Sequence, residues 1–158
     1  MRSMNKVMQA VVMGLGLLMA AFAAEGGELD KPGLQKLYVD YLSAEGYRPE
    51  VDEDGDVVFK REGMTYFINV AEDDQEFFSV VLPNIWPIES EEERAMVLAA
   101  ADRANGKAKV SKVFSMDDDV WVATELFVAR PGDFTGVFQR ALSAIDTATD
   151  IFTENMQE

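Results

Sequence analysis

Apolar residues recur along this chain with two periods, one typical of helices and one typical of strands, and the changes between them mark the predicted elements. The first segment with helical spacing follows Pro32 and meets a stop at Gly46. Its apolar positions are Leu34, Leu37, Tyr38, Tyr41 and Leu42. We therefore predict a first helix over about 32–45.

Four short strands are predicted after this helix. Alternating apolar and polar residues place them at 47–51, 57–61, 64–70 and 77–82. Acidic and glycine-containing segments separate them, as is typical of tight turns. The fourth strand carries apolar residues on both faces, which predicts a central position in a sheet. The prolines that follow it are expected to end it.

A second helix and a hairpin come next. Ser90 is followed three residues later by Glu93, which is a capping-box pattern, and Gly106 is expected to close the helix. Alternation then predicts strands at 109–116 and 120–129, joined by a turn of three aspartates.

The last predicted element is a long helix over about 131–156, where apolar residues keep helical spacing. The order is thus α-ββββ-α-ββ-α. We predict an α+β fold in which an antiparallel sheet carries helices packed on one side. No internal repeat is visible, and residues 33–157 are predicted to form a single domain.

The N-terminus has the pattern of a secretory signal. Two basic residues precede an uncharged run over 7–24, and small residues stand at Ala21 and Ala23. We predict a signal peptide over 1–23, a flexible lead-in over 24–32, and a periplasmic or secreted mature protein. An uncleaved membrane anchor is the alternative, although the run is short for spanning a bilayer. After cleavage no stable membrane anchor is expected.

The charge balance limits the partners. The chain has 29 acidic and 14 basic residues, a formal charge of −15. Nucleic acid and anionic membrane surfaces are disfavoured, because both are bound through Lys and Arg. The charge would attract a basic partner, or it serves solubility alone.

The residue inventory restricts chemistry. The chain contains no cysteine and no histidine, which excludes disulfides, thiolate nucleophiles and the commonest general base and metal ligand. We predict no catalytic residues, no cofactor and no metal. A carboxylate-based enzyme is a remaining reading that would require a buried cluster of acids.

Two acidic turns could attract cations. Glu50, Asp52 and Asp54 match the first ligand positions of an EF-hand loop, but Arg61 stands where a bidentate glutamate is needed. The second turn is the run of three aspartates in the later hairpin. Both are predicted to be solvated turns.

One candidate protein contact is an apolar segment between Pro83 and Pro87, predicted to be a loop. It contains Ile85 and Trp86. An aromatic residue there serves either as a binding anchor or as a lid over the core.

The other candidate contact lies in the later hairpin. Trp121 and Phe127 share the strand face opposite Val120 and Val122. If helices cover the valine face, the other face needs cover from neighbouring strands, a second subunit or a client peptide. Glu125 lies on the same face, so part of it is expected to be wet.

The element order and several local residues resemble the YbjN-like family, whose members share the fold of type III secretion chaperones. The resemblance covers 34–156 and is best from 100–105 through the hairpin at 109–129. It continues through the segment Pro131-Gly132-Asp133-Phe134 into the last helix. It implies a domain that is often paired, holds extended client segments on its surfaces and has no established catalytic residues. The export signal departs from the family's usual cytoplasmic setting.

We therefore predict an exported, non-enzymatic, chaperone-like domain that binds a protein or peptide segment, by addition to a sheet edge or by groove contacts. Homodimer formation is left open. The alternative is a small-molecule-binding or sensory domain with its ligand between the long helix and the sheet. A closed apolar pocket of roughly 300 Å3 or more would support that alternative.

Overall fold

The computed structural model describes residues 28–157; the predicted signal peptide and the first part of the lead-in lie outside the described residues. None of the helices within 28–157 is long and apolar enough to cross a membrane. The elements in chain order are α1 (Lys31–Ala44), β1 (Glu50–Val51), β2 (Val57–Arg61), β3 (Met64–Ile68), β4 (Phe77–Pro87), α2 (Glu91–Lys107), β5 (Ser111–Met116), β6 (Asp119–Phe127), a 3-10 helix (Pro131–Gly136) and α3 (Phe138–Met156).

The strands form one six-stranded sheet in the order β1-β2-β3-β4-β6-β5, and every neighbouring pair is antiparallel. The predicted α+β class and element order are confirmed. β4 lies between β3 and β6, so the central position predicted from its two apolar faces is also confirmed.

The three helices pack on the same face of the sheet. α1 contacts β4 through Tyr38 and Phe78, whose ring centroids are 6.3 Å apart. α3 contacts β2 through Phe138 and Phe59, with centroids 5.8 Å apart. The small buried residues of α2 lie against α3 and β5. Burial of apolar side chains between helices and sheet is the main source of stability.

The local signals that begin and end the helices act largely as predicted. The Ser90 hydroxyl accepts from the backbone N–H of Glu93 at 3.1 Å, and the Glu93 carboxylate accepts from the N–H of Glu89 at 2.7 Å. Gly46 ends α1 with a φ of 88°, which glycine adopts freely. Gly106 does not close α2: it lies outside the left-handed region, and the helix ends at Lys107.

β4 continues past its predicted end. The expectation that the strand stops at Pro83 is wrong, because β4 runs to Pro87 with an irregularity between Leu82 and Trp86. The registered pairs between β3 and β4 end at Val81. Proline has no backbone N–H, and Pro83 is tolerated here because β3 has no residue registered opposite it. The predicted apolar loop around Trp86 is therefore strand.

Two other boundaries also differ. β1 is two residues long rather than spanning 47–51, because Tyr47 turns inward and packs its ring 5.2 Å from that of Phe59. The last helical segment is divided at Val137, whose φ of −117° interrupts the helix between the 3-10 segment and α3.

The start of the domain is fixed earlier than predicted. α1 begins at Lys31, inside the predicted lead-in of 24–32, and Asp30 caps it by accepting from the N–H of Gly33 at 2.9 Å. The backbone N–H of Leu29 donates to the Gln75 side chain at 2.9 Å. Residues 29–32 are therefore part of the packed domain.

One ion pair connects the β2–β3 hairpin to α3. The Arg61 guanidinium donates to both carboxylate oxygens of Asp146, at 2.9 and 3.0 Å. Bidentate pairs of this kind are stronger and more directional than ordinary surface ion pairs. Both side chains are partly shielded from water, and the Arg61 side chain is the less exposed of the two.

We predict that Arg61→Met lowers the free energy of unfolding by about 1–2 kcal/mol, because Asp146 loses its partner while the aliphatic packing is retained. Urea unfolding measures the change. Lys36→Met is the matched control: it breaks a pair of exposed side chains, Lys36 and Asp40, and should cost less than about 0.5 kcal/mol. Equal losses in the two variants would contradict the prediction.

Candidate functional site

The sheet face opposite the helices carries a layer of apolar side chains. Strand register places its members together, because residues directly opposite one another on neighbouring strands share a face. Phe67 is opposite Val81, Val81 is opposite Ala123, and Phe77 is opposite Phe127. We call this surface the open face and define it as Phe67, Phe77, Val81, Phe114, Trp121, Ala123 and Phe127.

Trp121 lies at the centre of the aromatic contacts. Its ring centroid is 5.9 Å from that of Phe67 and 6.3 Å from that of Phe114. Its indole N–H donates to the side-chain oxygen of Asn84 at 3.0 Å. Asn84 has a φ of 56°, within the irregularity of β4, and a short polar side chain tolerates this conformation. The β4 irregularity thus holds the Trp121 ring in place.

The open face combines covered and exposed apolar surface. Ala123 is only 1% exposed although it faces away from the helices, so the neighbouring side chains close over the sheet there. Phe127 is 79% exposed, and its ring lies 5.9 Å from that of Phe77. A salt bridge of 2.7 Å between Lys112 and Glu125 lies on the same face. Glu125 is opposite Ser79, between the Phe77–Phe127 pair and the Val81–Ala123 pair. The face is therefore an aromatic surface that polar side chains divide in two.

The neighbouring sheet edge, β5, is occupied at one central residue. Asn105, near the end of α2, donates from its amide to the carbonyl of Val113 at 3.0 Å and accepts from the N–H of Val113 at 2.7 Å. The carboxamide thereby occupies both outward backbone groups of a central β5 residue, as a neighbouring strand would. At the opposite edge, β1 is only two residues long.

The four predicted contact residues divide between the two sides of the sheet. Trp121 and Phe127 lie on the open face. Trp86 pairs with buried Val120, and its ring lies 6.2 Å from that of Phe152 in α3, so it packs on the helix side. Ile85 is a partly buried residue packed against the core.

Trp86 is also held by a polar contact. Its indole N–H donates to the Glu93 carboxylate at 2.9 Å. The N–H of Glu89 and this indole together lower the pKa of Glu93. The Trp86 ring is therefore fixed between the start of α2 and α3.

Sequence reasoning missed three aromatic members of the open face: Phe67, Phe77 and Phe114. Phe67 lies between the inward-facing Tyr66 and Ile68, and this aromatic residue on an otherwise polar strand face was the available signal. For Phe77 and Phe114, only strand register shows that they stand beside Phe127 and Trp121.

The carboxylates of the acidic turns form hydrogen bonds within the fold. One carboxylate oxygen of Asp52 accepts from the N–H groups of Asp54, Gly55 and Asp56, at 2.9 to 3.0 Å. In the second turn, Asp118 accepts from Arg94 at 2.7 Å. Across residues 28–157, no group of three or more acidic side chains is placed to hold a metal ion.

A family model described as "T3SS (YopN, CesT) and YbjN peptide-binding chaperone 1" matches residues 34–155. The match spans more than three quarters of the chain and includes every strand, α2, nearly all of α3 and all but the first turn of α1. No curated protein matches the chain at a significant level.

We predict that Asn105→Ala lowers the free energy of unfolding by about 1–3 kcal/mol, because the backbone groups of buried Val113 lose both partners. The freed edge should also raise self-association. Urea unfolding and solution mass at two concentrations measure the two effects.

Asn155→Ala is the matched control for this change. The Asn155 amide donates to the carbonyl of Ile151 within its own helix, so its loss should cost less than about 0.5 kcal/mol and leave the solution mass unchanged. Indistinguishable behaviour of the two variants would show that Asn105 does not protect the edge.

Proposed function

We propose that this chain, which belongs to the T3SS and YbjN peptide-binding chaperone family, is an exported, non-enzymatic chaperone-like protein that holds an apolar client segment on its open face. The family membership supports a peptide as partner. The open face adds a specific place for it, and the exposed aromatic ring of Phe127 is the observation that carries the proposal.

Exposure of aromatic side chains to water costs free energy, and binding of a partner removes this cost. Phe127 exposes most of its ring beside Phe77, while Trp121 is partly covered and fixed by Asn84. Rigid aromatic side chains lose little conformational entropy on binding and often supply most of the binding energy. A client's apolar side chains would cover these rings and remove their surface from water.

The proposal favours the face over the edge. Asn105 already occupies the backbone groups of Val113, so a client strand added at β5 would first have to displace its carboxamide. Side-chain contacts on the open face need no such displacement. Recognition would then depend on apolar and aromatic groups of the client more than on its main chain.

The charge supports a client with basic residues beside its apolar ones. The formal charge of −15 attracts cationic segments and opposes the close approach of two copies of this chain. We therefore propose a client, rather than a second copy, as occupant of the open face. Dimer formation through another surface stays a prediction that solution mass at two concentrations tests.

The absence of histidine and cysteine from the sequence supports a non-enzymatic role, because the usual nucleophile and base pairs cannot form. Export is proposed from the pattern of the first 24 residues alone.

We predict that Phe127→Ser weakens binding of a probe peptide, 15 residues long with a Leu and Phe core flanked by Lys, by roughly tenfold or more. The fold should be unaffected, because the side chain is already mostly exposed. Fluorescence anisotropy of the labelled peptide measures the affinity.

Leu98→Ser is the control for general loss of apolar surface. Leu98 is 55% exposed on α2, on the helix side of the sheet, and its substitution should change the affinity less than about twofold. The same loss in both variants, or none in Phe127→Ser, would remove the open face from the proposal.

We predict that the protein recovered from the periplasm of an expressing Gram-negative bacterium begins at Ala24, as intact mass measures. Ala23→Phe places a bulky residue directly before the cut and should leave the chain uncleaved. A full-length mass for the unaltered protein would refute cleavage, and recovery only from the cytoplasm would refute export.

A further inference from the structure

A groove on the helix side of the sheet is lined by apolar and basic side chains. It has a cavity volume of about 530 Å3 and lies between α3 and the connection from α2 to β5. Its apolar walls come from Val110, Leu126, Val137 and Ala144. Leu126 is opposite Phe78, which contacts α1, so the groove is separated from the open face by the sheet itself. The groove lies between α3 and the sheet, where the small-molecule alternative places its ligand, but it is open to solvent and is not the closed pocket that would support that alternative.

The groove is basic in an acidic protein. The chain has 29 acidic and 14 basic residues, yet the groove is lined by Lys107, Lys109 and Arg140 and by no acidic side chain. Within residues 28–157 none of these three cations takes part in a salt bridge, whereas five of the other nine basic residues do. Lys107 and Lys109 belong to one wall and Arg140, on α3, to the other.

Backbone strain is located at the same place. Val110, predicted to lie in a strand, instead has a φ of 56°, which a β-branched residue rarely adopts. Its side chain is 59% exposed and lines the groove. Because the Val110 side chain is exposed, burial in the core does not offset the cost of this backbone conformation. Residues strained in this way are concentrated at binding sites.

We infer that this groove is a second binding site, which takes an acidic amphipathic peptide segment. An apolar side chain of the segment contacts Val110 and Leu126, and carboxylates on either side of it meet the cations of the two walls. At physiological ionic strength charges are screened over about 8 Å, so the cations that line the groove weigh more in this interaction than the net charge of the protein does. Cations on both walls of an open groove suit an acidic segment lying across it, whereas a fatty acid offers one carboxylate and needs an enclosed channel.

The site is tested with a labelled 15-residue peptide that has a Leu core flanked by Asp and Glu, at 0.15 M salt. Lys109→Gln with Arg140→Gln should weaken its binding roughly tenfold. Lys36→Gln with Arg103→Gln removes the same charge from α1 and α2 away from the groove and should change the affinity less than about twofold. Equal effects of the two double variants, or no binding by the unaltered protein, would overturn the inference.

Val110→Gly separates binding from stability. Glycine relieves the positive φ, so the Tm should be equal to or above that of the unaltered protein, while loss of the apolar side chain weakens peptide binding roughly threefold or more. A lower Tm with unchanged binding would show that Val110 serves the fold instead.

Two further arms identify the occupant. Phe127→Ser should leave binding of the acidic peptide unchanged, so that failure of this site and failure of the open face are distinguishable. Laurate should not displace the peptide from the unaltered protein. Displacement by laurate, or loss of acidic-peptide binding in Phe127→Ser, would overturn the assignment of the groove to an acidic segment.

Discussion

Burial of one sheet face beneath three helices is the interaction on which the remaining structure depends. Val57, Ile68, Val80, Val120 and Val122 are fully buried on that face, and each such side chain contributes on the order of 1.5–3 kcal/mol. Because all three helices pack on this side, no helix within residues 28–157 covers the opposite face. Its aromatic residues close over the sheet backbone themselves, and Phe127 stays outside. The asymmetry that stabilises the fold thus also creates the open face, the surface that we propose binds a client.

The irregularity in β4 lets residues of this one strand make contacts on both faces of the sheet. Three residues separate Leu82 from Trp86, whereas one residue separates their partners Val122 and Val120, so β4 contains two additional residues. An even number keeps Trp86 on the helix side, where it contacts α3. The additional segment brings Asn84 to the indole of Trp121. The two tryptophans are therefore held on opposite faces by the same feature.

Sequence patterns fail to predict the structure where the conformation or the face of a residue depends on the strands that pair with it. Alternation, the Ser90 cap and the glycine turns act locally, and the elements that they predict are present. Pro83 predicts a strand end, because the sequence does not reveal that the pairing between β3 and β4 stops at Val81. The sequence does not distinguish Trp86 from Trp121, and only strand pairing places the first on the helix side of the sheet and the second on the open face. The basic groove joins residues more than 30 positions apart, and charge counted along the chain conceals it.

A protein that binds unfolded segments faces a particular hazard, since an unpaired strand edge accepts any extended chain, including a second copy of itself. Asn105 reduces this hazard by giving Val113 the hydrogen bonds that a foreign strand would otherwise supply. Main-chain hydrogen bonds form with a partner strand of almost any sequence, whereas contacts with Trp121 and Phe127 depend on the side chains of the partner. Under the proposed function, occupying Val113 at this edge while leaving the open face exposed would shift recognition from backbone to side chains. An aromatic surface would then discriminate among segments without promoting assembly of the protein itself.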